Sequence, residues 1–127
     1  MSSAEQASRA AEGADWARPV VHWEIVARDA ERQAAFYRHL FNWDVGGAPI
    51  MRIPPGLGGP EPGPAGHIRA GDHPAVVLYV QVRDLRASLL RAVQLGGAVA
   101  AEPFDIDGVT LGVITDPEGD SVVLVQQ

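Results

Sequence analysis

Val20–Val45 reads VVHWEIVARDAERQAAFYRHLFNWDV and carries two periods in succession. Val21, Trp23 and Ile25 alternate with His22, Glu24 and Val26, as a half-buried strand requires. The period then lengthens. Ala34, Tyr37, Leu40 and Phe41 recur at three- and four-residue steps behind Asp29, a good helix N-cap, and Asn42 is suited to close the helix. The spacing predicts a strand over Val20–Ala27 and a helix over Asp29–Phe41.

Working outward, residues 1–19 are rich in Ala, Glu, Ser and Arg and are expected to form a mobile tail, with Trp16 tucked against the body or a partner chain. Residues 20–127 are one domain by size. Trp43–Val45 should begin the next strand, turning at Gly46–Gly47, and Ala48–Ile53 another. Pro54 to Gly66 is too rich in Pro and Gly for a helix or a central strand, so it is a loop. Strands are expected at Gly66–Ala70, Ala75–Val82, Ala98–Glu102, Val109–Thr115 and Ser121–Gln126. A second helix should run over Asp84–Leu95 with Gly96–Gly97 as its stop. Asp116-Pro-Glu-Gly119 has the composition of a type I turn.

The halves repeat. Placing Arg28-Asp29 on Arg83-Asp84 gives an offset of 55 residues (84 − 29) and sets Ala27 on Val82, Leu40 on Leu95 and Asn42 on Gly97. Each half, about 20–71 and 75–127, reads as strand, helix and about three strands. Neither can bury its sheet alone, so the copies should pair. The expected fold is α+β: two paired βαβββ modules forming a curled mixed sheet around a central hollow, helices outside.

Composition narrows the chemistry. The chain has no cysteine, hence no disulfide, thiol nucleophile or zinc-finger-type site. All ten basic residues are arginine, which removes Schiff-base chemistry and the lysine of a P-loop. A net charge of −6 argues against nucleic acid as a partner and makes a cation or metal easier to accept. Glu102, Asp105, Asp107, Asp116, Glu118 and Asp120 crowd the last third, most simply as a solvated acidic surface. No apolar run has membrane-spanning length and the N-terminus lacks a basic-then-apolar signal, so no membrane partner and a cytoplasmic location are expected.

Phe36-Tyr37-x-x-Leu40-Phe41-x-Trp43 after the first strand, Asp116-Pro-Glu-Gly119 before the last and the βαβββ repeat together resemble the vicinal oxygen chelate superfamily. That group includes glyoxalase I, extradiol dioxygenases, and fosfomycin- and bleomycin-resistance proteins. The resemblance covers Val20 to Gln127. It implies a homodimer and a divalent metal in the hollow, held by residues of both modules and acting as a Lewis acid.

Carried onto this chain residue by residue, the resemblance implies His22 as the first-strand ligand, seven residues before Asp29. The matching place in the second module falls at Val77, and the C-terminal ligand position, four residues after Gly119, at Val123; neither valine can bind a metal. His67 is the plausible occupant of the remaining position and Arg69 a poor one, although His67 by itself reads as a surface histidine at a loop end. The quartet is thus broken in the second half, and no metal cofactor is certain.

On the strand faces, His22 and Glu24 should look into the hollow as a ligand-contacting or acid–base pair, the carboxylate orienting the imidazole and raising its pKa. Tyr79 stands where Glu24 does by module symmetry, and Gln81 follows. Both should line the hollow with His67, Val77 and Val123. His39 and His73 read as solvent-facing. The resulting expectation is a protein that binds a small molecule in the central cavity without the full metal quartet. The alternatives are a metal-dependent lyase, isomerase or dioxygenase-like enzyme using His22, or a non-catalytic drug-sequestering protein.

Overall fold

The computed structural model describes residues 16–55 and 63–127; the expected tail at 1–15 and the middle of the proline loop at 56–62 lie outside the described residues. Nine elements follow in chain order: β1 (Val20–Ala27), α1 (Ala30–Phe41), β2 (Met51–Ile53), β3 (Gly66–Ala70), β4 (Ala75–Val82), α2 (Leu85–Gln94), β5 (Ala98–Ile106), β6 (Val109–Thr115) and β7 (Ser121–Gln126). The strands form one mixed sheet in the order β2-β3-β1-β4-β7-β6-β5.

Both helices start as their sequences dictate. The Asp29 carboxylate accepts from the Arg32 amide at 3.1 Å and the Asp84 carboxylate from the Ala87 amide at 3.0 Å, each satisfying an otherwise orphaned first-turn donor. α1 ends at Asn42, whose φ of 57° is left-handed and whose amide returns to the Arg38 carbonyl. α2 is shorter, 10 residues against 12, and is capped by Leu95. The offset of 55 that aligns the two N-caps therefore does not hold at the helix ends, where Asn42 corresponds to Leu95 rather than to Gly97.

The modules join along β1 and β4, which run antiparallel with His22 opposite Tyr79 and Glu24 opposite Val77. Within each module the first strand pairs in parallel with the last: Glu24 with His67, and Tyr79 with Val123. The second module is a full βαβββ unit. The first has two strands after its helix among the described residues, because Trp43–Val45 is not a strand and Ala48–Ile53 pairs only from Met51. Gly46, Gly47 and Pro49 interrupt that stretch, and Val45 is buried with its carbonyl taken by the Arg38 guanidinium at 2.8 Å, so side chains replace a ladder there. β5, by contrast, runs on to Ile106, past the expected end at Glu102.

Alternation divides the sheet into two faces. Ile25, Ala27, Met51, Ile53 and Ile68 pack with Ala34 under α1, and Val82 and Leu124 pack with Leu85 and Leu89 under α2. The face without helices carries a third apolar cluster of Val26, Val77, Leu111 and Val123, flanked by Tyr79, Val113 and Val125. This face is the hollow. Trp16 lies with its ring 5.1 Å from the Arg83 guanidinium carbon, so it does tuck against the body.

Candidate functional site

One wall of the hollow is polar and comes from the first module. Glu24 is 5% exposed and His67 9%, both far more buried than such side chains usually are. Their pairing explains it. Glu24 Oε2 accepts from His67 Nε2 at 2.7 Å, from Arg69 Nε at 2.9 Å and from the Tyr79 hydroxyl at 3.2 Å. On its other side, His67 Nδ1 lies 2.7 Å from His22 Nε2. A neutral His67 that donates through Nε2 must accept at Nδ1, so His22 donates through Nε2 and keeps its own Nδ1 lone pair. The result is a carboxylate–imidazole–imidazole chain. Tyr79 stands edge-on to the His22 ring, with centroids 5.0 Å apart.

Electrostatics fix the charge states at two points of this cluster. Burial alone would push the Glu24 carboxyl up, but the hydrogen bonds from His67 and Arg69 and the charge of Arg69 hold it down at about 2. Burial first, then the charge of Glu24, pushes the Tyr79 hydroxyl up to about 12, so it remains a donor. His22 lies below its ordinary value of 6.5, chiefly through burial and then through His67, with Glu24 opposing.

The facing wall is apolar and comes from the second module. Val77 and Val123 stand across from Glu24 and beside Tyr79. Together with Val26 and Val113 they border an open groove of about 850 Å³ whose lining includes Glu24 and Arg69. The turns at Asp72–His73 and Asp116–Asp120 form its rim. In the second turn Asp116 accepts from the amides of Glu118 and Asp120, and the Gly119 amide returns to the Asp116 carbonyl at 2.9 Å, as the expected turn requires.

The structure therefore brings together His22, Glu24, His67 and Tyr79, and sets Val77 and Val123 against them. Gln81 is half-buried and sits beside Val125, away from the Glu24 cluster. His67 is not the surface histidine that its loop-end position suggested. Parallel pairing with β1 draws it inward. His39 and His73 are exposed, as expected. Arg69, whose guanidinium is a poor metal ligand, is instead the ion-pair partner of Glu24. The two-residue step from His67 to Arg69 along β3 was the signal that both share a face.

A metal of the superfamily type does not fit this donor set. His22 Nε2 and His67 Nδ1 are hydrogen-bonded to each other at 2.7 Å, and a catalytic site usually has three protein ligands. The second module offers valines at both ligand positions. No group of three or more His, Asp or Glu is placed to hold an ion among the described residues.

Among the described residues, seven strands with two helices on one face and a split polar–apolar hollow on the other make the architecture of a vicinal oxygen chelate protein. The chain belongs to this superfamily: residues 19–125 match the model of the glyoxalase-like domain family. No curated protein matches it in sequence. It is similar in fold to a glyoxalase/bleomycin resistance protein/dioxygenase superfamily member from Vibrio splendidus 12B01, with TM-score 0.61, 16% identity, and 87% of this chain and 100% of that chain covered. A variant of Streptomyces coelicolor methylmalonyl-CoA epimerase in complex with 2-nitronate-propionyl-CoA gives TM-score 0.60, 16% identity, and coverage of 89% and 96%. Methylmalonyl-CoA epimerase from Mycobacterium tuberculosis gives TM-score 0.57, 17% identity, and coverage of 84% and 86%. These likenesses establish the fold. None of the described helices is long and apolar enough to cross a membrane.

Proposed function

We infer that the chain binds a small molecule in the groove between its modules, and that it does so without a metal quartet. The observation that carries this reading is the pairing of a buried, three-fold hydrogen-bonded Glu24 on one wall with Val77, Val113 and Val123 on the other. A concave site with a few convergent polar groups on an apolar lining is the usual form of a small-molecule pocket, and about 850 Å³ is within the usual range. The test is a thermal-shift screen of a small-molecule library on chelator-treated protein. Stabilising hits are expected to persist after chelation and to vanish in Val123→Phe, which fills the groove. Hits that appear only with Ni²⁺, Zn²⁺ or Mn²⁺ and are lost in His22→Ala would instead favour a metal-dependent enzyme.

A second reading, proton exchange at His22, is favoured by one observation: the 2.7 Å bond that ties this ring through His67 to Glu24. A carboxylate behind an imidazole fixes its tautomer, as a general base needs. ¹⁵N spectra of the histidines should show His22 protonated at Nε2, with a titration midpoint below 6.5 that falls further in Glu24→Gln. A His22 ring protonated at Nδ1 at neutral pH would rule the relay out.

A further inference from the structure

The two halves of the hollow follow one plan with different chemistry: where the first has His22, Glu24 and His67, the second has, in register, Val77, Tyr79 and Val123. The polar and apolar walls of the groove are therefore pseudo-symmetric equivalents of opposite chemistry. A ligand cannot bind equally well in two orientations related by that symmetry. Its polar head must meet the first module and its apolar body the second.

The charge of the head follows from the lining. Four carboxylates border the groove, those of Glu24, Asp72, Asp116 and Asp120, against one guanidinium, that of Arg69. Arg69 spends its Nε on Glu24 Oε2, and that ion pair leaves the three rim aspartates uncompensated by any other arginine of the lining. Glu24 is itself 95% buried and ionised, and all three of its bonds fall on Oε2; Oε1 is the acceptor left for a ligand. A negatively charged head would meet repulsion from the rim aspartates and from ionised Glu24, against one guanidinium already paired with that carboxylate.

Resting on the reading of the groove as a small-molecule site, we propose that its ligand class is a small apolar-bodied cation. A primary or secondary ammonium donates to Glu24 Oε1 and passes the Asp72 and Asp120 rim, and an aliphatic body lies on Val77, Val113 and Val123. Acyl-CoA thioesters, the ligands of some proteins of similar fold, belong to the opposite charge class.

The test titrates the full chain, observed through its valine methyl NMR signals, with three compounds sharing one body: cyclohexylmethylammonium, cyclohexylmethanol and cyclohexanecarboxylate. At low salt the ammonium is expected to bind about tenfold more tightly than the carboxylate, with the alcohol between, and shifts should centre on Val77, Val113 and Val123. Asp72→Asn with Asp120→Asn should cut that ratio to about threefold, as should raising the salt. Both substitutions are on exposed turns, and neither side chain holds a structural bond of the turn. Equal or tighter binding of the carboxylate would overturn the charge class and leave the groove as a site. Absence of methyl shifts with all three would overturn the groove itself, and the ligand class with it.

Discussion

Replacing Glu24 by Ala is expected to cost about 3–4 kcal/mol of folding stability, chiefly by leaving the buried His67 and half-buried Tyr79 donors without an acceptor, while Arg69, 44% exposed, can turn to solvent. The reason is what remains. Arg69, His67 and Tyr79 all donate to a single oxygen, and without it His67 and Tyr79 lose their acceptor away from solvent. Glu24→Gln keeps the volume and one acceptor, so its loss should be smaller. Urea denaturation of the wild type and both variants measures the difference. A loss under about 1 kcal/mol for Glu24→Ala would mean that the cluster contributes nothing beyond a surface salt bridge.

The same group sets an acid limit. The folded-state pKa of Glu24, about 2, lies below the ordinary value of 4.5. Folding therefore favours the ionised form, and the associated stability is present above pH 4.5 and lost as pH falls toward 2. The depression corresponds to about 3 kcal/mol. His22 acts in the same direction at higher pH. Its value is lowered below 6.5, so the neutral ring is favoured in the fold and its contribution fades as pH drops below that point. Wild-type stability should fall steeply between pH 5 and pH 2, and Glu24→Gln should flatten that segment. An unchanged slope in the variant would assign acid sensitivity to other carboxylates.

Gly66→Ala is expected to be nearly as damaging, at about 3 kcal/mol. A Cβ at this position would come within 2.2–2.5 Å of the Trp23 ring atoms, well inside contact distance. Trp23 is the cross-strand partner of Gly66 on β1, and its ring lies across the glycine. Its indole N–H is tied to the Pro64 carbonyl at 2.9 Å and its ring packs 5.2 Å from Trp43, so the ring is held at both ends. The substitution must displace Trp23 or shift β3, and His67 is the next residue on that strand. A double-mutant cycle separates these outcomes. In a Trp23→Ala background, Gly66→Ala should cost under about 0.5 kcal/mol. Retention of the full cost there would place the conflict in the backbone rather than at the ring.

Periodicity and caps made most of the fold legible in the sequence. The alternation in β1, the N-caps Asp29 and Asp84 and the repeat are local features, written in neighbouring residues. The exceptions were also local: Trp43–Val45 has strand composition, but two glycines and a proline interrupt the chain beyond it, and the Arg38 side chain of α1 takes the Val45 carbonyl instead. The candidate site was half legible. His22 and Glu24 were legible because alternation assigns faces, Val77 because the repeat supplies its position, and Val123 only through the resemblance, which places it four residues after Gly119.

What residues 20–127 determined by themselves was the pair of modules, the polar face of β1 and the absence of donors in the second half. Only the tertiary structure decided what Glu24 does. Register across β1, β3 and β4 brings His67, Arg69 and Tyr79 to one carboxylate oxygen from 43 to 55 residues away in sequence. Burial turns that oxygen from a solvated charge into the anchor of the wall. Sequence spacing carries no record of strand order or of desolvation, so a loop-end histidine and a discarded arginine became part of the site only when the sheet assembled.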